Sequence, residues 1–109
     1  MLKLIVKNIK EVDEPLHDKV TALCQEKSEF FENLLKKYGK EVPLEVIFDH
    51  SSKVYKVSGS LGLKSKKVLV VEEDEDVLKA VTRMFNELKK AGKRQYELER
   101  KDYLYKRKR

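Results

Sequence analysis

Leu44-Glu45-Val46-Ile47-Phe48-Asp49-His50-Ser51-Ser52-Lys53-Val54-Tyr55-Lys56-Val57 decides how the rest of this chain is read. Its two flanks are short and rich in β-branched and aromatic residues, and the stretch follows a proline, Pro43. Asp49-His50-Ser51-Ser52 between them is turn chemistry, so the segment predicts an antiparallel hairpin. The second strand is expected to continue through Gly59 to Leu63, with the glycines suggesting a bulge. Lys64-Ser65-Lys66-Lys67 then turns the chain into a third β segment, Val68-Leu69-Val70-Val71, giving three successive antiparallel strands.

Outward from the hairpin the apolar period changes. Residues 2–9 alternate as a short strand, and Asp13 followed by Pro15 offers an N-cap and a residue tolerated in a first helical turn. Leu16, Val20, Leu23, Cys24, Phe30, Phe31, Leu34, Leu35 and Tyr38 recur at three- and four-residue steps, and Gly39 stands where a C-cap belongs. These signals predict a first helix over about residues 14–38. Lys27 interrupts the stripe, as a stem lying over the core edge with its ammonium in water. On the other side, the acidic run Glu72-Glu73-Asp74-Glu75-Asp76 precedes a second helix with the apolar face Val77, Leu78, Val81, Met84, Phe85 and Leu88. Acids there suit the positive end of the helix dipole.

The order is therefore β-α-β-β-β-α. A right-handed crossover makes the first two strands parallel if adjacent, and the hairpins that follow are antiparallel. The predicted fold class is an α+β two-layer sandwich, a four-stranded mixed sheet with two helices on one face, related in plan to double-stranded RNA-binding folds. Residues 1–91 are expected to form that domain. Residues 92–109 form a basic C-terminal extension, either a continuation of the helix or a flexible arm, with Gly92 placed to end or weaken the helix.

Charge points to a partner. Residues 89–109 hold ten Lys/Arg against three acids, net +7, whereas residues 1–88 sum to −1, so the excess of this +6 chain lies at its C-terminal end. Each Lys or Arg that neutralises a phosphate also releases condensed counterions, which makes such a block the footprint of a polyanion binder. The candidate RNA-binding residues are Arg83, Lys89, Lys90, Lys93, Arg94, Arg100 and Lys101. The terminal Lys106, Arg107, Lys108 and Arg109 are either further contacts or a solvated tail. Tyr96, Tyr103 and Tyr105 could stack on bases or pack back on the domain or on another copy.

Other chemistries lack their residues. No stretch is apolar for long enough to cross a bilayer, and the alternating start is not a signal peptide, so a cytoplasmic protein is expected. The single Cys24 allows no internal disulfide, and no cysteine or histidine spacing suits zinc. The 72–76 acids lack the spaced oxygens and turn glycine of a calcium loop. His17 and His50 have no nucleophile in a recognisable context, and Gly59 and Gly62 are too few for a phosphate loop. No catalysis, cofactor, metal or small-molecule substrate is expected.

The chain resembles the short form of the bacterial ribosome hibernation-promoting factor family, also described as sigma modulation proteins or ribosome-associated inhibitors, over roughly residues 2–94. The resemblance rests on the opening strand ending Lys7-Asn8-Ile9, on Pro15-Leu16-His17-Asp18-Lys19-Val20, and on Lys53 with the Val54–Val57 strand. Its strongest piece is Glu73 to Arg94, including Asp76-Val77-Leu78-Lys79-Ala80-Val81, Leu88 and the basic Lys90, Lys93 and Arg94. Thr82 stands where the family usually has Asp, and Glu26 and Glu29 stand where basic residues facing RNA are expected. Nothing after the sandwich resembles the dimerising domain of the long members. The resemblance implies a stress protein that docks on the small ribosomal subunit and its RNA near the decoding centre and blocks messenger and transfer RNA. The expected state is a monomer, with self-association left open. Two alternatives stand beside this: a generic double-stranded RNA binder, and a protein-interaction module that uses the uncovered sheet face or the C-terminal tail.

Overall fold

A computed structural model describes the backbone of residues 2–107 and the side chains of residues 2–100. The elements are β1 (Leu2–Lys7), α1 (His17–Leu34), β2 (Val42–Ser51), β3 (Val54–Gly62), β4 (Lys67–Asp74) and α2 (Val77–Arg107), with short 3-10 turns at Ile9–Glu11 and Glu14–Leu16. The sheet order is β1-β2-β3-β4. β1 and β2 are parallel, joined by the α1 crossover, and the other two pairs are antiparallel. This is the β-α-β-β-β-α sandwich that the hydrophobic periods predict.

Strand alternation sorts the side chains. Leu44, Val46 and Phe48 of β2 and Val57 and Leu61 of β3 lie on one face, buried beneath the helices with Val20, Phe31, Leu35, Val81, Met84, Phe85 and Leu88. Burying each such side chain contributes roughly 1.5–3 kcal/mol. The opposite face carries Ile5, Ile47, Leu69 and Val71 in neighbouring register positions, and Leu69 and Val71 are exposed.

The expected bulge in β3 is absent. Pairing runs without a skipped residue from Leu44↔Leu61 to Ser51↔Val54 and from Tyr55↔Asp74 to Gly62↔Lys67. Gly59 serves close packing instead: a Cβ there would lie 2.1 Å from Met84 Sδ. Gly92 serves the same end, since a Cβ there would lie 3.0 Å from Leu61 Cδ2 and 3.3 Å from Phe31 Cε1. Accordingly α2 does not stop at Gly92 but continues to Arg107.

Two further boundaries differ from expectation. The first helix is shorter at both ends, because Glu14–Leu16 is a 3-10 turn and the chain unwinds after Leu34 before Gly39, at φ +83°, takes the left-handed turn. Glu72, Glu73 and Asp74 belong to β4 rather than to a helix-leading run. Asp49↔Lys56↔Glu73 forms a row of alternating charge across three strands, which suits continued pairing. Asp76 alone caps α2, its carboxylate accepting from the Leu78 N–H at 2.9 Å.

Gly59→Ala is expected to destabilise the fold by about 1–3 kcal/mol through overpacking against Met84. Met84→Ala alone should also destabilise, by about 2–5 kcal/mol. The double variant should lose clearly less than the sum, because the smaller side chain accommodates the new methyl. Urea unfolding of the three variants measures the coupling.

Candidate nucleic-acid interface

The outward face of α2 follows from its inward one. Val77, Ala80, Val81, Met84, Phe85, Leu88 and Gly92 are buried, so a period of 3.6 turns Lys79, Arg83, Lys90, Lys93 and Arg94 to solvent, and all five are exposed. Lys79 was not among the sequence candidates, because it stands apart from the C-terminal charge block. Among α2 residues 77–100 there are seven Lys/Arg and three Glu, whereas α1 holds four acids and two lysines. The two helices thus present opposite charge.

The candidates are not equivalent. Arg83 is committed to structure: its guanidinium meets the Asp74 carboxylate at 2.5 Å and the Glu73 carbonyl at 3.5 Å, tying α2 to the end of β4. The Asp76 N–H donated to Asp74, together with Arg83 nearby, holds that carboxyl below its ordinary value. Lys89 lies over the Phe30 ring, with Nζ 4.9 Å from its centroid, and spans the seam between the helices. Lys90 reaches Glu87 at 3.7 Å in an exposed pair that costs little to separate. Among the described residues no carboxylate lies within ion-pair distance of Lys93 or Arg94. Arg100 stands over Tyr96, its guanidinium carbon 5.8 Å from the ring centroid. The side chains of Lys101, Tyr103, Tyr105, Lys106 and Arg107, and the whole of Lys108 and Arg109, lie outside the described residues.

Tyr96 packs back on the domain. It is half-buried, with its ring 5.7 Å from that of Tyr38. Around this pair, α2 is fastened to two loops. Tyr38 Oη accepts from the Lys64 N–H at 2.7 Å and donates to Glu99 Oε1 at 2.5 Å. Ser65 donates to Glu99 Oε2 through its N–H at 3.0 Å and also through its hydroxyl, and Gln95 Nε2 donates to Ser65 Oγ at 2.7 Å. Partial burial raises the Glu99 carboxyl, but the bonds from Ser65 and Tyr38 outweigh it and hold the group below its ordinary value. Burial and then the bond to Glu99 push the Tyr38 phenol up to about 12 against the opposing Lys64 N–H. Sequence reading missed this latch, because Tyr38 counted only as the last residue of an apolar stripe and its partners stand 26 and 61 positions away.

The remaining reactive side chains are occupied structurally. His17 Nε2 lies 2.6 Å from the Val12 carbonyl, which can only accept, so that nitrogen carries the proton and staples the start of α1. His50 stacks on Tyr55 at 3.9 Å between centroids. Burial pushes the Cys24 thiol up to about 12, well away from a thiolate at neutral pH. Thr82 donates its hydroxyl to the Leu78 carbonyl at 2.9 Å and lines a shallow groove between the helices with Lys19, Leu23 and Glu26. No helix among the described residues is long and apolar enough to cross a membrane.

Fold and surface together define a two-layer α+β domain that presents one basic helix. Among solved structures, the crystal structure of the Thermus thermophilus Protein Y N-terminal domain is similar to it, with a TM-score of 0.60 at 22% sequence identity over 85% of this chain and 96% of that one. The likeness shows a shared fold. No protein-family model matches the sequence, and no curated protein matches it.

Glu99→Ala is expected to speed amide exchange at residues 95–100 by roughly 5- to 30-fold, about 1–2 kcal/mol of lost hydrogen bonding, while leaving residues 80–88 protected. A carboxyl with a lowered folded value stabilises above its unfolded value of about 4.3 and loses that contribution as pH falls through the folded one. The unchanged protein should therefore lose the same protection below about pH 4. The Tyr38 phenol works in the other sense: its contribution is full below about pH 10 and is lost as pH rises toward 12. Hydrogen exchange across a pH series checks both limbs.

Proposed function

We propose that this chain is a non-catalytic translation inhibitor of the hibernation-factor kind, acting in the cytoplasm by occupying RNA of the small ribosomal subunit. The observation that supports the reading is the solvent-facing row Lys90, Lys93 and Arg94 on α2, in a fold shared with the Protein Y N-terminal domain and in a sequence that resembles the hibernation-promoting factor family. Lysine and arginine on a rigid helix suit recognition of folded RNA by its phosphates and shape, because the deep groove of an A-form helix hides base edges. Inhibition is then steric: messenger and transfer RNA are excluded, and no bond is made or broken. The acidic outer face of α1 restricts which side can meet phosphate. Arg83, held by Asp74, contributes chiefly to the helix start, and Lys93 and Arg94 are the first contacts.

A second reading draws on Leu69 and Val71, which are 63% and 42% exposed on the uncovered sheet face. A protein partner on that face would bind with little dependence on salt, whereas phosphate contact weakens steeply as salt rises.

Sedimentation with purified small and large bacterial ribosomal subunits across a salt series, with a long RNA duplex as competitor, separates these readings. Saturable small-subunit binding that resists the duplex is the expected result. Changing Lys90, Lys93 and Arg94 together to Glu should weaken it by at least about 100-fold near 0.15 M salt, with folding intact and a salt slope smaller by roughly 2–3. Equal affinity for any duplex would replace the reading with a generic RNA binder, and salt-resistant self-association would favour the sheet face.

A further inference from the structure

The chain is charged unevenly along its long direction in a way that the linear sequence conceals. The α1–β2 loop, the β3–β4 loop and the second half of α2 all lie at one end of the sheet, brought together by the contacts among Tyr38, Lys64, Ser65 and Glu99. Gly62 also abuts Pro43, to which a Cβ would approach within 3.0 Å. Residues 36–41, 62–67 and 89–100 together hold eleven Lys/Arg against three acids. The opposite end gathers the start of α1, the β2–β3 turn, the end of β4 and the start of α2. There residues 9–19, 49–53 and 72–79 hold ten acids against four lysines. The protein therefore has a basic pole and an acidic pole.

We propose that the basic pole is a second part of the RNA-docking surface: Lys36, Lys37 and Lys40 of one loop, Lys64 and Lys66 of the other and Lys67 at the start of β4 receive phosphates of folded RNA end-on. All six lysines are exposed. Two flexible loops would ordinarily offer scattered point charges, but here both are fastened to α2. The Tyr38 hydroxyl is bonded to the Lys64 backbone and to Glu99, and Ser65 is bonded to Glu99 and Gln95. Lys64 Nζ is itself held near the Tyr38 ring, 5.0 Å from the centroid. The one carboxylate at the centre of the pole, Glu99, is thus engaged in holding the loops together. The lysines are presented as one surface whose ordering cost is already met in the fold. The polarity also orients the molecule: in the field of a polyanion the acidic pole is repelled, so encounter is productive from one end.

This inference rests on the RNA-binding reading above and extends it to residues outside the C-terminal charge block. The test uses the full chain and purified small ribosomal subunits, with three variants: Lys36, Lys37 and Lys40 changed to Gln, Lys64, Lys66 and Lys67 changed to Gln, and Lys90, Lys93 and Arg94 changed to Gln. Circular dichroism and thermal unfolding confirm that each folds. Each loop variant is expected to weaken binding at least about tenfold near 0.15 M salt and to lower the slope of log K against log salt by roughly 2, at about 0.7–0.9 for each phosphate no longer neutralised. If the unchanged protein binds and the helix variant loses binding while both loop variants keep affinity and slope, the pole is not a docking surface although the RNA-binding reading survives. If the unchanged protein shows no salt-sensitive binding to the subunit, both fall.

Discussion

The close seating of α2 on β3 is the contact on which the rest of the molecule depends. β3 is hydrogen-bonded on both sides, so its backbone cannot move to accommodate a helix, and the helix must come to it. Gly59 permits that approach by leaving the space that Met84 fills, and Gly92 permits it again where α2 passes Leu61 and Phe31. Methionine suits the first position because an unbranched thioether conforms to the gap that a missing Cβ leaves. With both contacts in place the helix path is set over the sheet. The side of the helix on which Lys90, Lys93 and Arg94 stand is set by the residues that face inward.

One consequence is an overhang. At 1.5 Å per residue the 31 residues of α2 span roughly 46 Å, whereas the strands of eight to ten residues span roughly 26–34 Å. A helix leaving its sheet has no apolar face to bury and would fray in water. The Tyr38, Ser65 and Glu99 bonds carry it past the sheet end, and Tyr96 adds ring contact with Tyr38. Polar bonds are used where the core has run out. The same bonds join three segments that are distant in sequence, so stability and the display of charge come from one set of side chains.

The sequence made the element order legible because two periods, alternation and 3.6, separate cleanly along it. The hairpin, the crossover and the inward faces of both helices follow from that alone. Glycine was misread: Gly59 and Gly92 look like a bulge and a helix end, yet both are places where another side chain comes close, which needs the packed structure to see. The acidic run was divided wrongly for a related reason. Glu73 pairs across from Lys56, a relation set by strand register rather than by neighbours in the chain. For the candidate interface, Lys93 and Arg94 could be found from charge clustering. The lysines of the two loops could not, because residues 1–88 sum to −1 and only the reversal of the strands separates their acids from their bases.

That separation bears on how a modest charge could give selective binding. A net +6 spread evenly would attract RNA in every orientation and favour any duplex equally. Among the described residues α1 turns acids outward, the far pole is acidic, and Arg83 is paired with Asp74, so their excess of Lys/Arg lies on the distal half of α2 and in the loops beside it. Affinity at physiological salt would then require a cavity in folded RNA that meets both the side of a helix and its loop-bearing end. A straight duplex offers phosphates to one of these surfaces at a time, whereas a concave RNA surface offers them to both. On the proposed reading, discrimination between the ribosome and other RNA comes from that shape requirement, with each phosphate contact individually unspecific.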